Sequence, residues 1–178
     1  MGSVRGCHVW PASLLFVLVA GCPGEEVPVV DCTDAPPSVE VGNGSPDHVA
    51  FVDGAPIIMV HGPQGGWHVW ISLAFTNLDA AVEIHVTVTD TTRGELMSDL
   101  NYTMQTGAPV ACVATLGGLF GFLPYDDPDT PADETPPAYR ACDVFEVCAE
   151  VTDSTGLVVS DCLWGVATPD AADGAVSC

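Results

Sequence analysis

The chain has 178 residues, with 24 Asp and Glu against three Lys and Arg, a formal charge of −21 and 48% hydrophobic residues. That charge repels nucleic acid and anionic headgroups, so polyanion binding is excluded from the functions open to it. The length suits one domain with a sizeable core, and the absence of lysine excludes Schiff-base chemistry.

Residues 1–21 carry the zones of an export signal: Arg5 near the start, an apolar stretch over 12–20, and small residues Ala20 and Gly21 before Cys22. The apolar stretch is too short to cross a bilayer as a helix, which takes about 20 residues. The run Leu18-Val19-Ala20-Gly21-Cys22 resembles a bacterial lipobox, in which cleavage exposes a cysteine that is then acylated. The resemblance implies a leader of residues 1–21, lipid (palmitate among the acyl groups) on Cys22 and, with Pro23 and not Asp following, an outer-membrane destination. Cysteine parity agrees. With Cys7 in the leader and Cys22 lipidated, Cys32, Cys112, Cys142, Cys148, Cys162 and Cys178 remain, an even set for three disulfides in an oxidising compartment. Loss of Arg5 with the leader takes the charge from −21 to −22 and leaves Arg93 and Arg140 as the cations. Charge cannot hold such a chain on a membrane; acyl chains can, at about 0.8 kcal/mol per buried methylene.

Residues 22–37 read as a lipidated cysteine followed by an acidic, Pro-rich tether, and residues 38–178 as one β domain. Ile57 to Val60 is strand-like and leads into His61-Gly62-Pro63-Gln64-Gly65-Gly66-Trp67-His68-Val69-Trp70. A loop from Pro63 to Gly66 would set His61 opposite His68, with Met59 and Trp70 on the same face. Alternation then marks strands at 67–75 and 82–88, with Glu83, His85, Thr87 and Thr89 on a polar face. The link 76–80 has hairpin length. Residues 108–124 are almost wholly apolar or glycine and read as two buried strands around Gly117-Gly118. Residues 125–138 form an acidic loop that lacks the spacing of a calcium-binding helix-loop-helix. The chain closes on a hairpin, Phe145–Val151 and Leu157–Val166, turning at Gly156, which sets Cys148 opposite Cys162 and predicts a disulfide between them.

Short strands between turns, with no long stretch of helical periodicity, predict an all-β fold: a single antiparallel β-sandwich of Ig-like architecture, stabilised by disulfides. The antibody pattern itself is absent, since Tyr139 lies three residues before Cys142. The turn Gly62-Pro63-Gln64-Gly65-Gly66, with the histidine and alternating strand after it and Asn77-Leu78-Asp79 beyond, resembles a segment of bacterial secreted proteins and lipoproteins with Ig-like β domains. That resemblance covers roughly residues 50–90 and implies a shared β domain without an activity. Three roles are open to the segment. It is a structural hairpin, or a surface for an envelope protein or glycan through His61, His68, Trp70 and His85, or a metal site of His61, His68 and Met59. A pair of imidazoles with a thioether suits copper better than calcium. Hydrolase elbows, zinc-protease helices and phosphate loops are all missing. The expectation is a non-enzymatic, membrane-anchored lipoprotein serving a structural or partner-binding role, with periplasmic copper binding as the alternative.

Overall fold

The computed structural model describes residues 35–62, 66–107, 109, 112–124, 139–173 and 178. Nine strands account for most of them: β1 (Ser38–Asn43), β2 (Val49–Ala50), β3 (Pro56–His61), β4 (Trp67–Thr76), β5 (Ala81–Asp90), β6 (Glu95–Gln105), β7 (Val113–Leu123), β8 (Val144–Asp153) and β9 (Val158–Pro169). They form one curled, mixed sheet in the order β2-β1-β4-β3-β9-β8-β5-β6, with β7 on the other edge of β4. The sheet is not antiparallel throughout, because β3 and β9 run parallel from Pro56↔Val166 to Met59↔Pro169.

β4 is the hub. Its first residues pair with β3 and its last five with β1, while β7 runs along nearly its whole length. β3 passes between two neighbours at Met59, which is opposite Val69 of β4 and Pro169 of β9 and is fully buried. Two side chains join the free edges left by the curl. Asp161 on β9 accepts a hydrogen bond from the Val41 amide of β1 at 2.8 Å. The Tyr102 hydroxyl of β6 donates to the Phe120 carbonyl of β7 at 2.8 Å.

Alternation dictates what lies inside. Val82, Ile84, Val86 and Val88 of β5 meet Phe145, Val147, Ala149 and Val151 of β8 and the odd-numbered residues of β4, Trp67 to Phe75, in a single core. Asp90 continues the inward series of β5 and is fully buried, so it needs a counter-ion. Arg140 supplies one, its Nη1 2.7 Å from Asp90 Oδ2 and its Nη2 2.7 Å from Glu95. Arg93 lies beside it, Nε 2.6 Å from Asp143 Oδ2, and the Tyr139 ring is within 4.0 Å of one guanidinium and 4.9 Å of the other. Burial pushes the Asp143 carboxyl above its ordinary range; the Arg93 hydrogen bond opposes this and nearby Asp90 adds to it.

The closing hairpin forms as the alternation and Gly156 require. β8 pairs with β9, Cys148 is opposite Cys162, and the two are disulfide-bonded. A second disulfide joins Cys142 to Cys178, and Cys112 is also disulfide-bonded. The Cys148–Cys162 bridge lies on the outer face of the sheet, not in the core.

Two local expectations fail. The link 76–80 is not a hairpin: β4 has both edges occupied by β1, β3 and β7, and β5 pairs with β6 and β8. The link instead carries the chain from one arm of the curl to the other, held where the Asn77 side-chain Nδ2 donates to the Ala35 carbonyl and the Ser154 hydroxyl donates to Asp79. Nor do Gly117 and Gly118 turn the chain. β7 is continuous, and the two glycines form a bulge between the pairs Ile71↔Leu119 and Leu73↔Leu116. Gly118 has φ +79°, and a side chain at Gly117 would collide with the Pro46 carbonyl. The acidic loop 125–138, the leader, Cys22 and Cys32 lie outside the described residues.

Arg140→Met leaves Asp90 buried without its closest cation. Removal of one partner from a buried pair costs about 3–5 kcal/mol, and the lower value applies because Arg93 stays 3.6 Å from Asp90. Urea denaturation should therefore show a loss of about 3 kcal/mol. At the hairpin turn, the Asp153 carboxyl is held below its ordinary range chiefly by the Thr155 hydroxyl, then by the amides of Leu157, Thr155 and Asp79. The ionised form is favoured by the fold, so this contribution is complete above the unfolded value, about 3.9, and is lost as pH falls through the lower folded one. Asp153→Asn should be less stable than the parent at neutral pH, with the difference shrinking toward acid.

Candidate binding face

Because odd-numbered residues of β4 point into the core, His68, Trp70, Ser72 and Ala74 point out. Register places Phe122 of β7 beside His68 and Phe120 beside Trp70. Cross-strand neighbours on one face meet at about 4.5–5.5 Å between Cβ atoms, so four rings collect here. The Trp70 and Phe120 centroids are 4.7 Å apart, His68 is 4.7 Å from Trp70 and 5.0 Å from Phe120, and Phe122 stacks on Phe120 at 5.5 Å with the planes 8° apart. Phe122 is 54% exposed and Phe120 37%.

The other half of this face is covered. The β1–β2 connection crosses it at the β7 bulge, His48 Nδ1 lies 3.0 Å from Ser72 Oγ, and the Val49 amide donates to the same oxygen. Ser72 is fully buried as a result. The absence of side chains at Gly117 and Gly118 is what allows the Ser45–His48 backbone to descend this far.

His68 is held under the rings. Its Nε2 has no hydrogen-bond partner, and burial lowers its pKa below the ordinary value. The ring is therefore neutral at neutral pH.

The predicted four-residue face does not assemble. The loop is one residue longer than expected: the Gly62 amide bonds to the Gly66 carbonyl, His61 pairs with Trp67, and Val60 pairs with His68. A one-residue shift sends a side chain to the opposite face. His61 accordingly stacks on Trp67 at 4.7 Å, Met59 is inside the core, and His68 points outward, so the three proposed copper ligands do not converge. No group of three His, Cys, Asp or Glu side chains suited to a metal occurs among the described residues.

His85 sits on the other arm, its Nε2 2.7 Å from Asp99 Oδ1. It borders a shallow groove of about 520 Å³ with Glu83, Asn101, Thr103, Glu150 and Thr152. Trp70 and His68 were legible as outward-facing in the alternation of β4. Phe120 and Phe122 were missed, although Leu119, Gly121 and Leu123 alternate with them. Reading Gly117-Gly118 as a turn concealed that parity.

Charge is sparser on the β4 side of the curl, where β1 carries Glu40 exposed opposite Ala74. β3, β4 and β7 contain no Asp, Glu, Lys or Arg. Glu83, Asp99, Glu146 and Glu150 stand exposed on β5, β6 and β8. No family profile and no curated protein sequence matches the chain.

His68 provides a direct check on the aromatic face. Its imidazole should titrate below about 6.5 by NMR, and its protonation would place a charge among the rings. Because the fold resists that charge, stability should decline as pH falls below about 6.5, and His68→Phe should remove that part of the decline.

Proposed function

We propose that this is a non-enzymatic cell-envelope lipoprotein, held at the outer membrane by acyl chains on Cys22. In this reading its domain is a β-sandwich of Ig-like architecture that engages an envelope component through Trp70, Phe120 and Phe122. The mixed pairing of β3, which serves both arms, and the β8–β9 hairpin support an Ig-like architecture. One observation carries the binding role: a chain with 24 carboxylates keeps three neighbouring strands free of charge and exposes aromatic rings on them. Exposed apolar patches of this kind mark interaction surfaces.

Two substitutions test the halves of this proposal. In the full chain made in a double-membrane bacterium, Cys22→Ala should abolish the acyl mass and release the protein from the membrane fraction; retention there would sink the anchor. Binding of the soluble protein to isolated envelopes should fall about tenfold or more on Phe122→Asp, as expected for an aromatic anchor. Unchanged binding would remove the aromatic face from the proposal.

A further inference from the structure

We infer that the component engaged by the aromatic face is the lipid surface itself: the open half of the face lies on the zwitterionic headgroup region of the bilayer holding the anchor. This deepens the anchored-module reading and rests on it.

Charge distribution is the first argument. Bringing a carboxylate against a lipid surface costs desolvation, and an anionic leaflet adds repulsion. The strands β3, β4 and β7 bring none, and Glu40 of β1, opposite Ala74, with Asp47 in the connection over Gly117, marks the polar limit of the face. Docked on this face, the domain keeps Glu83, Asp99, Glu146 and Glu150 on strands of the other arm. Chemistry of the rings is the second argument. Trp pairs an apolar body with one N–H and favours the headgroup level, where Phe120 and Phe122 add buried apolar area.

Reach is the third. The 12 residues 23–34 precede the described chain and span at most about 40 Å. Trp70 lies six residues along β4 from Thr76, the partner of Ser38, or about 20 Å. The anchor can therefore hold the face at the bilayer at an effective concentration of about millimolar, where a contact of three rings suffices.

Two other occupants fit less well. A second copy brings another charge of −22, with both arginines committed to Asp90, Glu95 and Asp143. A sugar needs a flat aromatic platform, whereas Phe120 and Phe122 turn their faces toward each other.

Fluorescence quenching tests the inference on the mature lipoprotein in phosphatidylcholine vesicles brominated near the headgroup end of the acyl chains. Trp164→Phe leaves Trp67 in the core and Trp70 on the face; Trp70→Phe leaves Trp67 and the exposed Trp164 on β9. Bromine should quench the first variant and spare the second. Adding Phe122→Asp to the first should abolish quenching without moving its denaturation midpoint. Replacing phosphatidylcholine with phosphatidylglycerol at low salt should also reduce quenching, and added salt should restore it.

An unquenched Trp164→Phe protein that still floats with the vesicles overturns the docking and leaves the anchor standing. Equal quenching of both variants overturns the choice of face. A Trp70-dependent dimer in detergent, without quenching by lipid, assigns the face to a second copy and overturns the inference. A protein with no acyl mass that fails to float overturns the anchor, and the docking with it.

Discussion

The ion pair of Asp90 with Arg140 constrains the rest of the molecule. β5 carries its inward alternation one residue past the apolar series and ends it on a carboxylate, fully buried. Arg140 reaches that carboxylate from just ahead of β8 and extends to Glu95 at the start of β6, so one guanidinium joins three consecutive parts of the sheet. A buried pair of this kind adds little net stability over an apolar pair, but separating its partners leaves a buried charge uncompensated, which penalises any arrangement that parts them. Arg93 duplicates the arrangement through Asp143, with Tyr139 between the two cations. Cys142, tied to Cys178, follows two residues after Arg140.

Placing both arginines there leaves Glu83, Asp99, Glu146 and Glu150, outer acids of the β5–β6–β8 arm, without a guanidinium partner among the described residues. Mutual repulsion then favours spreading the carboxylates over a solvated arm, while the strands paired with β4 bear a single one, Glu40 of β1 opposite Ala74. The polarity of the domain therefore follows from where two side chains were used. On the proposed reading, a protein tied to a membrane by its N-terminus has one arm compatible with a lipid surface and one compatible with water.

Much of this was legible in the sequence wherever a period of two ran unbroken. β4, β5, β8 and β9 lie where alternation places them, and Gly156 with the parity of β8 located the Cys148–Cys162 bridge. Failures occurred where geometry depends on residues far along the chain. A short link between alternating strands fits a hairpin or a crossing between arms equally well, and the choice falls to whichever strands occupy the edges of β4. The glycine pair in β7 reads as a turn until the Ser45–His48 segment is seen to need the space it clears. His61 and His68 were separated by one extra loop residue, the smallest error in register and the one with the largest effect on a site.

Met59 gives the fold a property beyond packing. Its strand belongs to both arms, hydrogen-bonded to β4 after that residue and to β9 before it. Parting the two arms at this point means tearing β3 from β4 or from β9, so they separate only by breaking strand pairing. At the proposed envelope location, beyond the reach of cytoplasmic chaperones, a seam closed by a shared strand in place of a hinge raises the cost of exposing the core to proteases.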